Sequence, residues 1–162
     1  MGEAARENTW RLTAMHHVGL TVRDIEQSIV FYRDVLGMTL IRRRETDAEY
    51  IGRQTGHPGV RLAVASFQPT PDSKQSLEVV QYLTHADAAS DPATNQPGNS
   101  HLCLMLDDIH AAHRALRGHG VRFRSEPVAI TSGPNQGGFV VYLYDPDGYT
   151  IELFQVPASP GN

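Results

Sequence analysis

An internal duplication is the feature that most limits how this chain can fold. The stretch H17-V-G-L-T-V-R-D-I25 matches H101-L-C-L-M-L-D-D-I109, because both begin with histidine, alternate apolar with other residues and end in Asp-Ile. A second pair of stretches, L77-E-V-V-Q-Y82 and I151-E-L-F-Q-V156, places a glutamate at the same point of an otherwise apolar run. The repeat predicts two copies of one structural unit, packed together.

Each copy has the pattern of one strand, one helix and three further strands. Helices are predicted over residues 24–36 and 108–117, with Asp24 and Asp108 as N-caps. The later strands are predicted at 38–43, 60–67 and 76–82 in the first copy, and at 121–123, 138–144 and 149–155 in the second. The turn D145-P-D-G148 joins the last two strands.

This pattern divides the chain into two modules. Residues 13–84 form the first and residues 101–156 the second, and the segment 85–100, rich in Ala, Asp, Asn and Pro, is predicted to be the linker. Residues 1–12 and 157–162 are predicted to be tails. The expected fold class is α+β, with two tandem βαβββ modules that form a curled mixed sheet around a cleft.

Composition excludes several classes of partner. The chain has 162 residues and a formal net charge of −4, and no basic run is denser than R42-R-R44, so a nucleic-acid partner is not expected. The longest apolar run, residues 139–144, is too short to cross a bilayer. A single cysteine, Cys103, excludes an internal disulfide and indicates a reducing, cytoplasmic location.

Four residues repeat in positions that suit a metal ion. Strand alternation places His17 and His101 on the faces opposite the aliphatic side chains, and it does the same for Glu78 and Glu152. Carboxylates turned into a cleft need a compensating charge, which a divalent cation supplies. Two imidazoles and two carboxylates suit Zn, Ni, Co, Mn or Fe, so the cleft is predicted to bind one such ion.

The remaining candidates carry weaker signals. Arg42 is a candidate for holding an anionic substrate group, and Tyr82 and Phe139 are candidates for lining the cleft, although both suit a core equally well. His16 is expected on the packing face or its edge. The other histidines are predicted to be solvated on loops or helix surfaces, namely His57, His85, His110, His113 and His119.

The residues quoted above resemble the vicinal oxygen chelate superfamily. Residues 17–37 are similar to its first-module signature and residues 145–153 to its closing one, and the resemblance covers residues 13–156. The superfamily includes glyoxalase I, methylmalonyl-CoA epimerase, extradiol dioxygenases, fosfomycin-modifying enzymes and metal-free bleomycin-binding proteins. The resemblance therefore implies the fold more firmly than the activity.

The set of four ligands looks like that of glyoxalase I. This implies a metal-dependent lyase or isomerase that abstracts a proton next to a carbonyl or hydroxyl of a small substrate, with Glu152 as base and Glu78 able to act on the opposite face. One alternative is an Fe(II) extradiol dioxygenase using His17, His101 and Glu152. The other is a non-catalytic binding protein for an antibiotic or natural product. The resemblance also implies a homodimer, and it leaves two alternatives for the metal site, which is formed either within one chain or between the two subunits.

Glutathione as a co-substrate stays open. Arg42 falls where glyoxalase I has an arginine that contacts glutathione, but Tyr82 stands where the bacterial enzyme has asparagine. Residues 127–144 contain no Lys or Arg, whereas the corresponding glyoxalase loop contributes a cation. These departures favour a smaller or less anionic substrate.

Overall fold

The computed structural model describes residues 10–88 and 93–158, so parts of the predicted linker and tails lie outside the described residues. The first half contains β1 (His17–Thr21), α1 (Ile25–Ile29), a π-helical turn (Val30–Val35), β2 (Thr39–Thr46), α2 (Glu49–Thr55), β3 (Leu62–Gln68) and β4 (Ser76–Tyr82). The second half contains β5 (Leu102–Met105), α3 (Ile109–Gly118), β6 (Val128–Ala129), β7 (Phe139–Tyr144) and β8 (Thr150–Gln155). Within the described ranges, no helix has the length and apolar character needed to cross a membrane.

Each half has one four-stranded mixed sheet, and the two sheets share one topology. The strand orders are β1-β4-β3-β2 and β5-β8-β7-β6. In each sheet the first strand pairs in parallel with the last, and the other pairs are antiparallel. The predicted α+β fold of two tandem modules is therefore confirmed, with one sheet in each module.

The helix that follows the first strand of each module begins where the sequence predicts. The Asp24 carboxylate accepts hydrogen bonds from two backbone N–H groups of the next turn, and the Asp108 carboxylate accepts one. The first helix is α-helical only up to Ile29, and residues Val30–Val35 continue it as a π-helical turn. Gly37 then adopts a left-handed φ of 77°, which suits glycine at a helix end.

Helix α2 was not predicted, because its usual start signal is missing. Its N-cap is Ala48, which has no side-chain oxygen to accept a capping hydrogen bond. The helix ends at Gly56, which has a φ of 76°. Pairing by β2 also continues three residues beyond the predicted end, up to Thr46.

The predicted strand at 121–123 is wrong in extent. In this segment only Phe123 forms a bridge, to Leu143, and the short strand β6 pairs with β7 farther along the chain. Pro127 lies between the two pairings, and proline has no N–H to donate to a sheet ladder. The outer strand of the second sheet is therefore split.

The larger of the two hydrophobic clusters among the described residues takes residues from both modules and forms the shared core. It includes Leu77 and Val79 of β4, Ile151 and Leu153 of β8, and Ile109 of α3, all buried. Because the aliphatic faces of both sheets contribute to this core, the opposite faces of the sheets lie on its outside. The opposite face of the first sheet also carries the second cluster, in which Leu62 and Val64 of β3 pack against Ile51 of α2.

Buried polar contacts tie the modules together at the turn 145–148. The Tyr32 hydroxyl donates to Oδ2 of Asp145 at 2.9 Å, and both residues are buried. Oδ1 of Asp145 accepts from the backbone N–H groups of Asp147 and Tyr149. Burial raises the pKa of Asp145, and the hydrogen bonds from Tyr149 and Tyr32 oppose that rise. Arg23 forms an ion pair with Asp147 across the same seam.

Tyr32→Phe is expected to lower the free energy of unfolding by about 1–3 kcal/mol, because it removes a buried hydrogen bond to a carboxylate. That bond lowers the pKa of Asp145, so its contribution is present when Asp145 is ionised and is lost as the pH falls. Urea unfolding should therefore show a larger effect at pH 7 than under acidic conditions. Tyr50→Phe, at a residue 54% exposed, is the control and should change stability by less than about 0.5 kcal/mol.

Candidate metal centre in two His–Glu pairs

The first His–Glu pair consists of His17 on β1 and Glu78 on the neighbouring strand β4. Nε2 of His17 lies 3.6 Å from Oε2 of Glu78. The hydroxyl of Ser66 on β3 donates to Oε1 of the same glutamate at 3.2 Å. The flanking residue Leu77 is buried in the core, so the pair occupies the opposite face, as strand alternation predicts.

The second His–Glu pair consists of His101, just before β5, and Glu152 on β8. Nε2 of His101 lies 3.0 Å from Oε2 of Glu152. Tyr142 is opposite Glu152 in the register of β7 and β8, and its ring centroid is 5.5 Å from that of His101. The neighbouring Cys103 is exposed, and partial desolvation, followed by the charge of Glu152, raises the pKa of its thiol.

The structure brings together each histidine with the glutamate of its own module, but it does not bring the two pairs together. Among the residues in the described ranges, no group of three or more His, Cys, Asp or Glu side chains is placed to hold a metal ion. The shared core explains the separation, since each pair is on the outer face of its own sheet.

The chemistry of each pair fits one side of a metal site. Two ligands of one cation, each bound at 2.0–2.2 Å, lie about 3.0–3.5 Å apart, and the N–O distances in the pairs are 3.6 and 3.0 Å. The side chains of His17 and His101 are 42% and 40% exposed. Both pairs are thus open to solvent and to a further set of ligands.

His16 forms a contact with His17 that the sequence did not predict. It is exposed, and its Nδ1 lies 2.8 Å from Nδ1 of His17, so one ring donates to the other. This contact occupies Nδ1 of His17 and leaves Nε2 on the side of Glu78. A hydrogen bond to one ring nitrogen fixes which nitrogen can bind a metal. The only sign of this contact in the sequence is that the two histidines, H16-H17, are adjacent.

The prediction that His113 is solvated is wrong. His113 is buried on the inner side of α3, with its ring centroid 4.4 Å from that of Phe123 and its Nδ1 3.4 Å from Oε2 of Glu126. It follows Ile109 by four residues and therefore shares the apolar face of the helix. The other histidines predicted to be solvated are exposed, namely His57, His85, His110 and His119.

The three weaker substrate candidates lie in different places. Arg42 is opposite Ser66 in the sheet, in line with Glu78. Tyr82 packs against His57, with a centroid distance of 5.8 Å, and lines a cavity of about 440 Å³ at the seam between the modules. Phe139 is on the packing face of β7 with the buried Val141, so it is not part of the Glu152 face.

The matching family model describes the Glyoxalase/Bleomycin resistance protein/Dioxygenase superfamily, and it covers residues 14–153. The chain belongs to this superfamily. The resemblance found in residues 17–37 and 145–153 is therefore confirmed. In superfamily terms the two halves are its paired modules, and each carries one His–Glu pair at the same place.

Relatives within the superfamily carry two kinds of name. The chain is 31% identical to a 2-epi-5-epi-valiolone epimerase from Actinomyces, over 90% of this chain and 81% of the relative. It is 32% identical to a lactoylglutathione lyase from Haemophilus influenzae, over 86% and 90%. A crystal structure of a glyoxalase family protein from Bacillus cereus has the same fold, with a TM-score of 0.81, 24% identity, and coverage of 96% of this chain and 100% of that chain.

Proposed function

We propose that this protein is a metal-dependent lyase or isomerase of the glyoxalase type. One divalent cation, Ni, Zn, Co, Mn or Fe, would be held by His17, Glu78, His101 and Glu152. The observation that carries the proposal is the pair of matching His–Glu contacts, one in each module on the sheet face opposite the shared core. The relatives named lyase and epimerase support this reaction class.

A second copy of the chain would complete each site. The first His–Glu pair of one subunit and the second pair of its partner together supply four ligands, and a two-fold axis generates two such sites. The open position of both pairs on the outer faces of the sheets supports this arrangement. We therefore propose that the protein is a homodimer and that it acts on a small molecule.

The proposed reaction depends on proton transfer by the glutamates. When bound, the cation would supply Lewis acidity that makes a C–H next to a coordinated carbonyl or hydroxyl more acidic. A carboxylate oxygen of Glu152 accepts that proton and holds it until the proton returns to the substrate. Glu78 would act from the opposite side, and the hydrogen bond from the Ser66 hydroxyl would orient its carboxylate for this role. His16 holds the His17 ring in position.

The carbon atom to which the proton returns determines the product. Return to the next carbon gives an isomerised product, as in a lyase that converts a hemithioacetal, whereas return to the same carbon from the opposite side gives an epimer. The names of the relatives match these two outcomes. The first substrates to test are therefore the hemithioacetal of methylglyoxal and glutathione, and 2-epi-5-epi-valiolone, followed by 2-hydroxy acids, 2-oxo acids and acyl-CoA thioesters.

His101→Ala is expected to lower the bound metal from about one ion per chain to a small fraction of that, because removing one of four ligands exposes the cation to exchange. Metal analysis after desalting against a weak chelator measures this directly. His119→Ala removes an exposed histidine of α3's C-terminal end and should leave the metal content unchanged. Wild-type protein that retains no divalent metal after loading would contradict the proposed function.

A further inference from the structure

Arg124 lies on the same sheet face as the second His–Glu pair. Its backbone N–H donates to the carbonyl of Tyr142 at 2.9 Å, and Tyr142 is opposite Glu152. The neighbouring residue Phe123 pairs with the buried Leu143, so Arg124 is directed to the other, outer side. Arg124, Tyr142 and Glu152 therefore form a row across the face.

Among the described residues, the groups that contact the Arg124 guanidinium are all neutral. Its central carbon lies 5.7 Å from the ring centroid of Tyr142 and 5.9 Å from that of Tyr144. Nε donates to the Tyr144 hydroxyl at 3.0 Å, and Nη1 donates to the Thr94 hydroxyl at 3.2 Å. A guanidinium has five N–H donors, so these contacts leave donors free for an oxyanion.

The charge of Arg124 has no carboxylate partner within the described part of the chain. Five other arginines do form ion pairs with Asp or Glu, namely Arg23, Arg33, Arg43, Arg61 and Arg117. The Arg124 guanidinium is thus held in place by the Tyr142 and Tyr144 side chains and the Thr94 hydroxyl, and no carboxylate of the described residues compensates its charge. Stacking on aromatic rings is a common way to fix the plane of an arginine.

The first module repeats this arrangement. Arg42 is opposite Ser66, and Ser66 is opposite Glu78, so a guanidinium again lies two strands away from the glutamate on the same face. Arg42 also forms no ion pair with any carboxylate in the described ranges. In each module the duplication thus places an arginine without a carboxylate partner among the described residues on the glutamate's face, two strands away. Arg44 and Arg122, two residues from Arg42 and Arg124, also form no ion pair there, but only Arg124 both packs on the Tyr142 ring next to His101 and is fixed by two hydroxyl groups.

We infer that Arg124 is a specificity-determining residue that binds an anionic group, carboxylate or phosphate, of a substrate whose reacting end lies at the His–Glu pairs. The inference rests on the proposed function and names a feature of its substrate. It also changes the expectation of a less anionic substrate. Residues 127–144 contain no cation, but Arg124 precedes that segment and faces the site.

Matched chelators test this inference. Aliphatic hydroxamates that end in a carboxylate, a phosphonate or a neutral carboxamide would be titrated calorimetrically into Co²⁺-loaded protein. An anion held by charge-assisted hydrogen bonds should bind roughly 10–100-fold more tightly than its amide. The carboxylate and phosphonate arms show which anion the site prefers.

Arg124→Met should abolish the preference for the anionic tail and leave the Kd of the carboxamide unchanged. Arg124→Lys should retain part of the preference for the anionic tail, since lysine keeps the positive charge but lacks the planar guanidinium group. Arg114→Met removes the same charge from an exposed position on α3 and should retain the full preference. An undiminished preference in Arg124→Met would overturn the inference, because a merely structural role does not distinguish the two tails.

A failure of every chelator, carboxamide included, to bind loaded wild-type protein would count against the metal site instead. Metal-free protein then tests Arg124 separately. Succinate or inorganic phosphate should shift the ¹⁵N resonance of the Arg124 Nε–H, assigned by its absence from the Arg124→Met spectrum, more than that of Arg114. Equal shifts, or none, would overturn the inference.

Discussion

Replacing Glu152 by glutamine is expected to lower kcat by roughly 10²–10⁴-fold, the usual contribution of a general base. Glutamine has nearly the same size and keeps one oxygen near His101, but it does not accept the proton. The 3.0 Å contact with Nε2 of His101 places this carboxylate beside the proposed metal ligand. Rates are measured with the hemithioacetal and with the epimerase substrate, and urea unfolding checks that the variant remains folded.

Two further variants show whether the effect belongs to the site. Glu49→Gln removes an exposed carboxylate on α2 and should leave kcat unchanged. Glu78→Gln should reduce turnover as well, and in an epimerisation it should separate two steps. Exchange of the substrate C–H with solvent deuterium would continue through Glu152 while formation of the epimer falls. A Glu152→Gln enzyme that turns over at the wild-type rate would refute the assignment of Glu152 as base.

Strand periodicity and the duplication were enough to predict most of what each module contains. Because side chains alternate along a strand, the aliphatic residues at positions 77 and 151 identified the packing face and so placed Glu78 and Glu152 on the other. The parallel pairing of first and last strands then brings His17 next to Glu78 within one module. Strand alternation is a local feature and the duplicated motifs are repeated ones, so both can be recognised in a single sequence.

The arrangement of one module against the other could not be predicted in this way. It depends on contacts such as Tyr32 with Asp145, which are 113 residues apart and leave no periodic signal. His113 was misplaced because a histidine on the apolar face of a short helix looks like a surface residue in the sequence. The position of Arg124 on the sheet face was not predicted, because the residues that follow it, Ser125, Glu126 and Pro127, interrupt the pattern of a strand.

Two variants that each lose metal are expected to recover part of it when combined. In a site shared between subunits, His17→Ala damages one side and His101→Ala damages the other. If the two chains are refolded together in equal amounts, about half of the dimers are mixed, and each mixed dimer has one intact site out of two. Bound metal should therefore rise from near zero to about a quarter of the wild-type amount.

Sites formed within one chain would behave differently, because every chain in that mixture would carry a damaged site and no metal would return. The double variant His17→Ala/His101→Ala, refolded with an equal amount of wild-type chain, gives the converse test. Shared sites would then be intact only in wild-type dimers, about a quarter of the total, whereas sites within one chain would survive in about half of the chains. The two mixtures respond in opposite directions to the location of the ligands, so a general loss of stability in any variant cannot imitate a shared site.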